Sequence, residues 1–463
     1  MSIDYSGMNS KLSSTPITLT VSDSHPLIKL ANTIPWKDIM EVVMPDLKKT
    51  SKGKWWMGRP LRLRIHLGAY LLQQLFDKTD RQTEYAIKDN AAYQLFCGRT
   101  TVEKWHCPDH TKIEEFRSRL SPDTQQRLAN HLAKIAVSLG YADPSELDID
   151  STIQEANMAY PSDIHLLTQL GIKAMKVLDY MQKNFSTFTF ELIKIDLKAI
   201  KKQARVCYFS KSKDKKEKND HLGDLWSCVF GQVMGVVKRI EILDDYDFKQ
   251  MPWNIERLAK QLKTEAYIYF VDVTKFLLHG VIEPTKRLCF HLKEVACFNK
   301  NKPGKKYQFG RAFQLSRIGG NFLLVGKSSS VRMDDKKSLK PMVGMQQQLF
   351  PETTSLSVAT DKGYYSKQNS DYLDASTGSS LGLQKPANVK CQTHSDDTEL
   401  INRRAGIEPL IGHTKQGGQL GRSRMKYDRT IESSGYAAVL GFNGRQLIRY
   451  LMGKATSPIV EAT

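Results

Sequence analysis

The chain is 463 residues long, 40% hydrophobic and 9% aromatic, and its 68 Lys and Arg against 49 Asp and Glu give a formal net charge of +19. A chain of this length and composition is expected to form roughly two or three folded units, which excludes disordered and collagen-like proteins. No run of about 18 apolar residues occurs, so a membrane span is also excluded. The positive charge indicates a polyanionic partner.

The cysteines and the N-terminal segment favour a cytoplasmic protein. Seven cysteines are spread thinly along the chain, which is typical of reduced thiols and not of a disulfide framework. Residues 1–30 lack hydrophobic periodicity and an apolar signal segment, and we interpret them as a flexible lead. His106, Cys107 and His110 come nearest to a zinc-ligand pattern. No second Cys/His pair lies at ligand spacing, which favours an ordinary loop before a helix.

Residues 31–143 have the hydrophobic spacing and capping patterns of an all-helical domain. Thr79 to Gln82 forms a capping box, and Ser121 before Pro122 is typical of a helix start. Ahead of these helices, basic residues surround two adjacent tryptophans, a composition that suits DNA phosphates and stacked bases. A solvated loop beside two core tryptophans is the alternative. The residues predicted to contact DNA here are Lys54, Arg59 and Arg62.

A short strand is predicted where Leu147 and Ile149 alternate with Asp148 and Asp150. Successive side chains of a strand point to opposite faces, so both carboxylates are expected on one face. An aspartate at the end of a strand is most simply a turn or helix-cap residue. It is also the residue type that a metal-dependent phosphoryl-transfer site needs.

The region after residue 280 is predicted to be rich in strands. Gly319-Gly320-Asn321 lies between two apolar runs, which is typical of a β-hairpin. Residues 287–291 are predicted to be extended and residues 336–350 to be helical. Residues 355–360 then read as a strand that ends at Asp361, before a turn at Lys362-Gly363.

An insertion is predicted between the two aspartates. Asp150 and Asp361 lie much further apart in the sequence than two neighbouring strands require, and residues 155–280 are mainly helical and basic. The stretch from 192 to 218 is the most basic part, and its helical half is a better candidate for phosphate contact than the low-complexity half. The residues predicted to bind DNA here are Lys201 and Lys202.

A third acidic residue, Glu408, lies in a strongly basic segment. Between residues 403 and 429, seven basic residues accompany two acids. On a helix, Arg404 and Lys415 would share a face with Glu408 and could grip phosphates. Pro409 indicates that Glu408 lies at the start of that helix. The residues of this segment predicted to bind DNA are Arg403, Arg404, Lys415, Arg422 and Arg424.

Three blocks in this order resemble the DDE transposases of bacterial insertion sequences, in particular the group with a Tyr-Arg-Glu-Lys signature. They are LDIDSTIQEANMAYPSDIHLL around Asp150, VATDKGYYSKQN around Asp361 and RRAGIEPLIGHTKQ around Glu408. The N-terminal stretch IPWKDIM and GRPLRLRIHLGAYLLQQLFDKTDRQTEYAIKDNAAYQLFCG is similar to the helical domain of that family. The resemblance runs from about Ile34 to Tyr450. The signature's Tyr position falls on Ile401, a departure from the pattern.

The resemblance implies an α/β fold, with a ribonuclease-H-like mixed sheet and a mainly helical insertion at 155–280 inside a catalytic domain over 144–452. It implies that Asp150, Asp361 and Glu408 bind two Mg²⁺ ions, for which Mn²⁺ is expected to substitute. Arg404 and Lys415 would be the cations of the signature. The implied partner is double-stranded DNA, both at the element ends and at the target. We expect a homodimer on DNA, because two ends must be cut together. Residues 453–463 are predicted to form a short tail after the catalytic domain. No small-molecule substrate or membrane partner is expected.

Alternatives remain open at this stage. Asp148 faces the same way as Asp150 and is a secondary candidate for a metal ligand. Glu432 replaces Glu408 as the third acid if Glu408 only forms an ion pair, although a place at a helix N-terminus would also explain Glu432. For function, the alternatives are a catalytically inactive DNA-binding relative or regulator, and a two-metal, structure-selective DNA nuclease.

Overall fold

The fold is seen in a computed structural model of the chain. The structure describes residues 20–49, 62–99, 107–185, 193–211, 213–302, 305–331, 334–377, 381–383 and 398–455. No helix in these ranges is both long and apolar enough to cross a membrane.

Seven helices form the N-terminal region within the residues that the structure describes. They are α1 (Pro26–Thr33), α2 (Trp36–Lys49), α3 (Leu63–Leu75), α4 (Asp80–Asp89), α5 (Ala91–Phe96), α6 (His110–Arg119) and α7 (Pro122–Ser138). The capping box at Thr79 is confirmed, with both of its hydrogen bonds present, and Ser121 caps α7. Helix α1 begins inside the segment predicted as a flexible lead, because Leu27 and Leu30 are buried in the core.

A mixed sheet follows, with six strands in the described part of the chain. The strands are β1 (Glu146–Glu155), β2 (Ala296–Lys302), β3 (Lys305–Ile318), β4 (Phe322–Val325), β5 (Ser357–Thr360) and β6 (Leu381–Leu383). Their order is β2-β3-β1-β5-β6, and β4 pairs with β3. Strand β3 is antiparallel to β1, whereas β5 is parallel to β1 and to β6. The α/β class is therefore confirmed.

The hairpin predicted at Gly319-Gly320-Asn321 is also confirmed. Strands β3 and β4 pair from Ile318 to Phe322, and both Gly320 and Asn321 have positive φ angles of 80° and 62°. The extended segment predicted at 287–291 is wrong, because these residues form a loop. Their cysteine and aromatic side chains pack against neighbouring elements without a partner strand.

The predicted helical insertion is present between β1 and β2 and has its own hydrophobic core. Its helices are α8 (Asp163–Asn184), α9 (Leu197–Phe209), α10 (Lys215–Glu241), α11 (Asp245–Gln250) and α12 (Trp253–His279). Helices α8, α10 and α12 pack against one another, and α9 covers α8 and α10. The insertion therefore folds as a helical bundle beside the sheet.

The other described helices follow β4 in the chain. They are α13 (Asp335–Leu349), α14 (Lys367–Thr377), α15 (Thr398–Arg404), α16 (Ile407–Gln416) and α17 (Asp428–Leu451). Helix α17 packs against both α7 and β4. The Asn443 amide accepts a hydrogen bond from the Leu323 N–H at 2.9 Å and donates one to the Ala129 carbonyl at 3.1 Å. The N-terminal helices and the sheet consequently share one core.

Candidate active site

Asp150 and Asp361 lie side by side at the centre of the sheet. Strands β1 and β5 are parallel, and Ile149 is paired with Thr360. Each aspartate is the next residue of its chain, so the two carboxylates emerge from neighbouring positions. Asp150 is mostly buried, and its Oδ1 accepts a hydrogen bond from the Ser151 N–H at 2.7 Å. Asp361 caps the following 3₁₀ turn by accepting a hydrogen bond from the Gly363 N–H at 2.8 Å.

Glu408 reaches the same place from a helix. It lies in the first turn of α16, as predicted from Pro409, and α16 packs against β1. Arg404, at the end of α15, connects the two carboxylates. Its Nη2 lies 3.1 Å from Glu408 Oε1 and 3.6 Å from Asp150 Oδ2. The structure therefore brings together the three predicted acids and one of the predicted cations.

The electrostatics of Asp150 reflect this convergence. Burial raises the pKa of the Asp150 carboxyl above its usual value, and the charges of Asp361 and Glu408 raise it further. The Ser151 N–H and the Arg404 guanidinium act in the opposite direction. Asp150 is partly desolvated and faces two other carboxylates, so the negative charge of the three groups is not fully compensated by nearby cations. We name the group Asp150, Asp361, Glu408 and Arg404 the open cluster.

Asp335 is a fourth acidic residue near this site, and the sequence reasoning missed it. A Cβ at Gly363 would lie 3.0 Å from Asp361 Oδ1 and 3.4 Å from Asp335 Oδ2. Asp335 lies in the first turn of α13, where an acid is common for reasons of helix stability alone. Only the proximity of α13 to the turn after β5 distinguishes it from other first-turn acids. No sequence signal marks that proximity.

Two buried polar side chains, Gln314 and Tyr364, lie next to the site and are hydrogen-bonded to each other. Gln314 of β3 lies opposite Ser151 of β1. Its amide accepts a hydrogen bond from the Tyr364 hydroxyl at 2.7 Å and donates one to Asp335 Oδ1 at 3.3 Å. Burial raises the pKa of the Tyr364 hydroxyl, and the charges of Asp335, Asp150 and Asp361 add to this effect. Tyr364 is thus a neutral hydrogen-bond donor beneath the carboxylates.

Asp148 has a different environment although it shares a face with Asp150. Its side chain is fully buried. Arg317 contacts Asp148 Oδ2 through Nε at 2.6 Å and Nη2 at 2.5 Å, and Arg403 donates from Nε to Oδ1 at 2.8 Å. We name Asp148, Arg317 and Arg403 the closed cluster. Both oxygens of Asp148 are occupied, which corrects its candidacy as a metal ligand.

Arg403, one of the predicted DNA contacts, is held within the protein by the same geometry. Besides its contact with Asp148, its Nη1 donates to Ser357 Oγ and its Nη2 to the Ser357 carbonyl, each at 2.9 Å. All three nitrogens of the guanidinium therefore donate hydrogen bonds within the protein. The guanidinium cannot contact a DNA phosphate without giving up bonds to a buried carboxylate.

Glu432, the alternative third acid, lies in a separate ion-pair network. Arg311 Nη2 is 3.5 Å from Glu432 Oε2, and Ser328 Oγ donates to Glu432 Oε1 at 2.8 Å. Arg311 is itself buried and also binds Glu294 at 2.7 Å. These contacts give Glu432 a structural role and favour Glu408 as the third acid.

Among the predicted DNA-binding residues outside the third block, three are described. Arg62 is exposed immediately before α3, and Lys201 and Lys202 are exposed on α9. Lys54 and Arg59 lie outside the described residues. The exposed side chains are available to an external anion.

The basic residues of the third block differ in their engagement. Lys415 lies in the last turn of α16 and is partly buried. Arg422 donates from Nη2 to the Met158 carbonyl at 3.3 Å, beyond the end of β1. Arg424 forms an exposed ion pair with Asp77 at 2.6 Å, which links the third block to the loop after α3. Exposed pairs of this kind exchange partners at little cost.

The open cluster offers the type of ligand that a hard divalent cation prefers. Carboxylate oxygens bind Mg²⁺, and the three acids come from two strand ends and one helix. In the described part of the chain, no three His, Cys, Asp or Glu side chains stand close enough together to hold a metal ion as they are. Arg404 lies between two of the acids and supplies the positive charge there. Its Nε is buried and has no hydrogen-bond partner.

The residues considered for zinc are arranged differently. His110 Nδ1 lies 2.8 Å from Glu84 Oε2, and the Cys107 thiol lies 3.7 Å from the Glu84 carbonyl oxygen. Burial raises the pKa of the Cys107 thiol to about 11, which disfavours the thiolate that zinc requires. His106 lies outside the described residues. These contacts fit the alternative of an ordinary loop before a helix.

Comparisons with known proteins point in one direction. Residues 18–119 match the profile of a family described as "Transposase domain (DUF772)". A protein of Rhizobium meliloti, named "Uncharacterized protein ORF8 in nfe locus", is 25% identical over 162 residues, which cover 34% of this chain and 73% of that protein. No solved structure matches. The family match covers the N-terminal region and shows its similarity to a transposase domain.

Proposed function

We propose that this chain is a DNA transposase of the DDE type, which cleaves the ends of its insertion sequence and joins them to target DNA. The observation that carries the proposal is the convergence of Asp150, Asp361 and Glu408, from β1, the end of β5 and α16. It occurs in a chain whose N-terminal region is similar to a transposase domain. The net charge of +19 suits a polyanionic substrate.

The sheet supports a ribonuclease-H-like core as part of this proposal. An antiparallel pair, β1 and β3, lies beside the parallel strands β5 and β6. In open sheets with parallel strands, functional residues gather at the carboxyl ends of the strands. Asp361 meets this expectation, and Asp150 is its neighbour on β1.

The metal-binding part of the proposal assigns Asp150, Asp361 and Glu408 as carboxylate ligands of two Mg²⁺ ions. When bound, such ions activate the attacking hydroxyl and stabilise the leaving oxygen of an in-line displacement. Asp150 is oriented by the Ser151 N–H. Arg404 contacts one oxygen of Asp150 and one of Glu408, so a bound ion would compete with its guanidinium, which could then contact a phosphate oxygen.

One set of carboxylates suffices for both reactions. Hydrolysis at an element end and attack of the resulting 3′-OH on target DNA are both in-line displacements at phosphorus, so neither requires a covalent protein intermediate. Lys415 and Arg404 flank Glu408 on consecutive helices and would position the substrate phosphates. Two ends must be cut together, and for this reason we propose a homodimer on DNA.

A strand-transfer assay with the native element ends, in Mg²⁺ and then in EDTA, tests the proposal. We expect cleavage and joining in Mg²⁺ only. Asp150→Ala, Asp361→Ala and Glu408→Ala should each reduce cleavage by at least about a thousandfold, because each removes a ligand of the reacting centre. DNA binding should remain nearly intact.

Glu432→Gln is the matched control, because Glu432 lies in a structural ion-pair network. It should retain cleavage. Cleavage by the Glu408 variant together with loss in the Glu432 variant would transfer the third ligand to Glu432. Cleavage without joining would mean a nuclease, and DNA binding without either reaction would mean a catalytically inactive relative.

A further inference from the structure

Helix α9 has an outward face with basic residues and no acids. Lys198, Lys201, Lys202 and Arg205 are exposed, whereas Ile200 and Ala204 are buried against the bundle. The nearest acids lie at the borders of this face. Asp196 caps the helix by accepting from the Ala199 N–H, and Asp224 faces Gln203 on the side of α10. The face is therefore a compact positive surface.

Two large aromatic side chains continue this face at the end of α9. Tyr208 is 52% exposed and Phe209 is 77% exposed. Lys198, Lys202, Arg205 and Phe209 follow the spacing i, i+4, i+7 and i+11, which forms one stripe along a helix. A surface that only contacts solvent rarely exposes large aromatic rings in a cluster, so these rings next to cations indicate an interaction surface.

A third exposed ring lies close to the end of the stripe. The Tyr208 hydroxyl is 3.3 Å from Ser162 Oγ, at the start of α8. Tyr160, two residues before, is 68% exposed and packs edge-on against Phe309, with ring centroids 5.4 Å apart. Tyr160 is thus held by one contact with the sheet while most of its ring remains open.

The surface is connected to the candidate active site through residues 156–162. This segment leaves the end of β1, the strand that carries Asp150. The Arg422 guanidinium donates to the Met158 carbonyl, and the Asn157 amide donates to the Arg424 carbonyl, each at 3.3 Å. The basic third block therefore contacts the segment that joins β1 to the helical bundle.

We infer that the outward face of α9, with Tyr208, Phe209 and Tyr160, binds single-stranded DNA. Aromatic rings stack on unpaired bases, and nearby cations pair with the phosphates between them. Bases in a duplex are already stacked, so the rings discriminate in favour of an unpaired strand, such as one released next to a cut. The inference rests on the proposed function, because it names DNA as the ligand.

The test compares the full-length chain with its Tyr208→Ala/Phe209→Ala variant by fluorescence anisotropy. The probes are a labelled oligothymidine of about 20 nucleotides and a duplex of the same length, longer than the single-strand sites of such surfaces. We expect the variant to bind the oligothymidine about five- to tenfold more weakly, and the duplex less than about twofold more weakly. Lys201→Ala/Lys202→Ala should weaken both complexes, because phosphates are common to both.

Exposed tyrosines elsewhere in the bundle provide matched controls. Tyr246→Ala and Tyr267→Ala, with exposures of 69% and 62%, should leave both affinities unchanged. Tyr208→Phe should retain oligothymidine affinity, because the stacking ring remains. Unchanged oligothymidine affinity in the double alanine variant would overturn the inference, and so would an equal loss for both probes. A change of oligomeric state alone would make this face an interface between copies.

The two levels of proposal can fail separately. If the wild type cuts its duplex ends in Mg²⁺ and the double alanine variant binds oligothymidine normally, the single-strand surface is refuted and the proposed function stands. If the wild type binds oligothymidine with the predicted dependence on Tyr208 and Phe209 but cuts no native ends in Mg²⁺, the proposed function is refuted and the single-strand surface stands.

Discussion

The closed cluster and the open cluster share a strand face but differ in how their carboxylates are compensated. Asp148 is fully buried, and two guanidinium groups occupy both of its oxygens. Asp150, two residues later, has one guanidinium at 3.6 Å and faces two further acids. The first arrangement is saturated and stabilises the fold. The second leaves negative charge uncompensated at a place that solvent reaches.

Charge balance separates a carboxylate whose oxygens are already paired from one that can take a further ligand more clearly than position on the strand does. A saturated buried ion pair has no capacity for another ligand. A partly desolvated group of acids with one shared arginine retains that capacity. Arg403 and Arg404 are adjacent in the sequence, yet one belongs to each cluster.

The largest effect on stability is expected from the closed cluster. Asp148→Ala would leave Arg317 and Arg403 partly buried without their shared carboxylate, which costs about 3–5 kcal/mol of unfolding free energy. Urea denaturation of the variant and the wild type measures this loss. Asp150→Ala is the matched variant on the same strand and should lose far less. Equal losses for the two variants would remove the distinction between the clusters.

A smaller effect of opposite sign is expected for Asp150→Asn. The pKa of Asp150 is raised in the folded protein, so the native state binds its proton more tightly than the unfolded chain does. The stability contributed by this group therefore falls as pH rises from the unfolded pKa through the raised folded pKa. Asparagine removes that loss. The variant should be more stable than the wild type at neutral pH by less than the Asp148→Ala loss, and the gain should vanish in acid.

Thermal unfolding at several pH values, without divalent cations, checks this prediction. The Asp148→Asn variant is the control and should be less stable than the wild type at neutral pH. A destabilised Asp150→Asn variant at neutral pH would show that Arg404 compensates Asp150 fully.

Much of this site could be predicted from the sequence. The strand that ends at Asp361 and the helix that begins near Glu408 have local signals, an apolar run before a turn and a proline in a first turn. Alternation alone does not rank Asp148 and Asp150, because it places both on one face, and only the resemblance put Asp150 first. What separates them is Arg317, which comes from β3 and lies far away in the sequence.

The remaining misses have the same physical origin. Asp335 approaches Asp361 only because α13 packs against the turn after β5. Glu432 stayed open as the alternative third acid because its contacts with Arg311 and Ser328 are tertiary and leave no local signal. The flexible lead was placed too far into the chain because the partners of Leu27 and Leu30 lie in distant helices. Local patterns predict elements, whereas tertiary contacts decide which charges are compensated.

The smallest expected effect concerns divalent cations and the two adjacent arginines. Mg²⁺ that binds the folded state alone raises the melting temperature, and at a fixed Mg²⁺ concentration tighter binding gives a larger rise. Arg404 competes for Asp150 and Glu408, so Arg404→Ala should increase the Mg²⁺-induced shift by a few degrees relative to the wild type. Arg403→Ala should leave the shift unchanged, because Asp148 keeps Arg317. Each variant is compared with itself with and without Mg²⁺, which removes its own change in stability. A larger shift in the Arg403 variant would place the cation at the closed cluster, and no shift in any of the three proteins would contradict a cation site among these carboxylates.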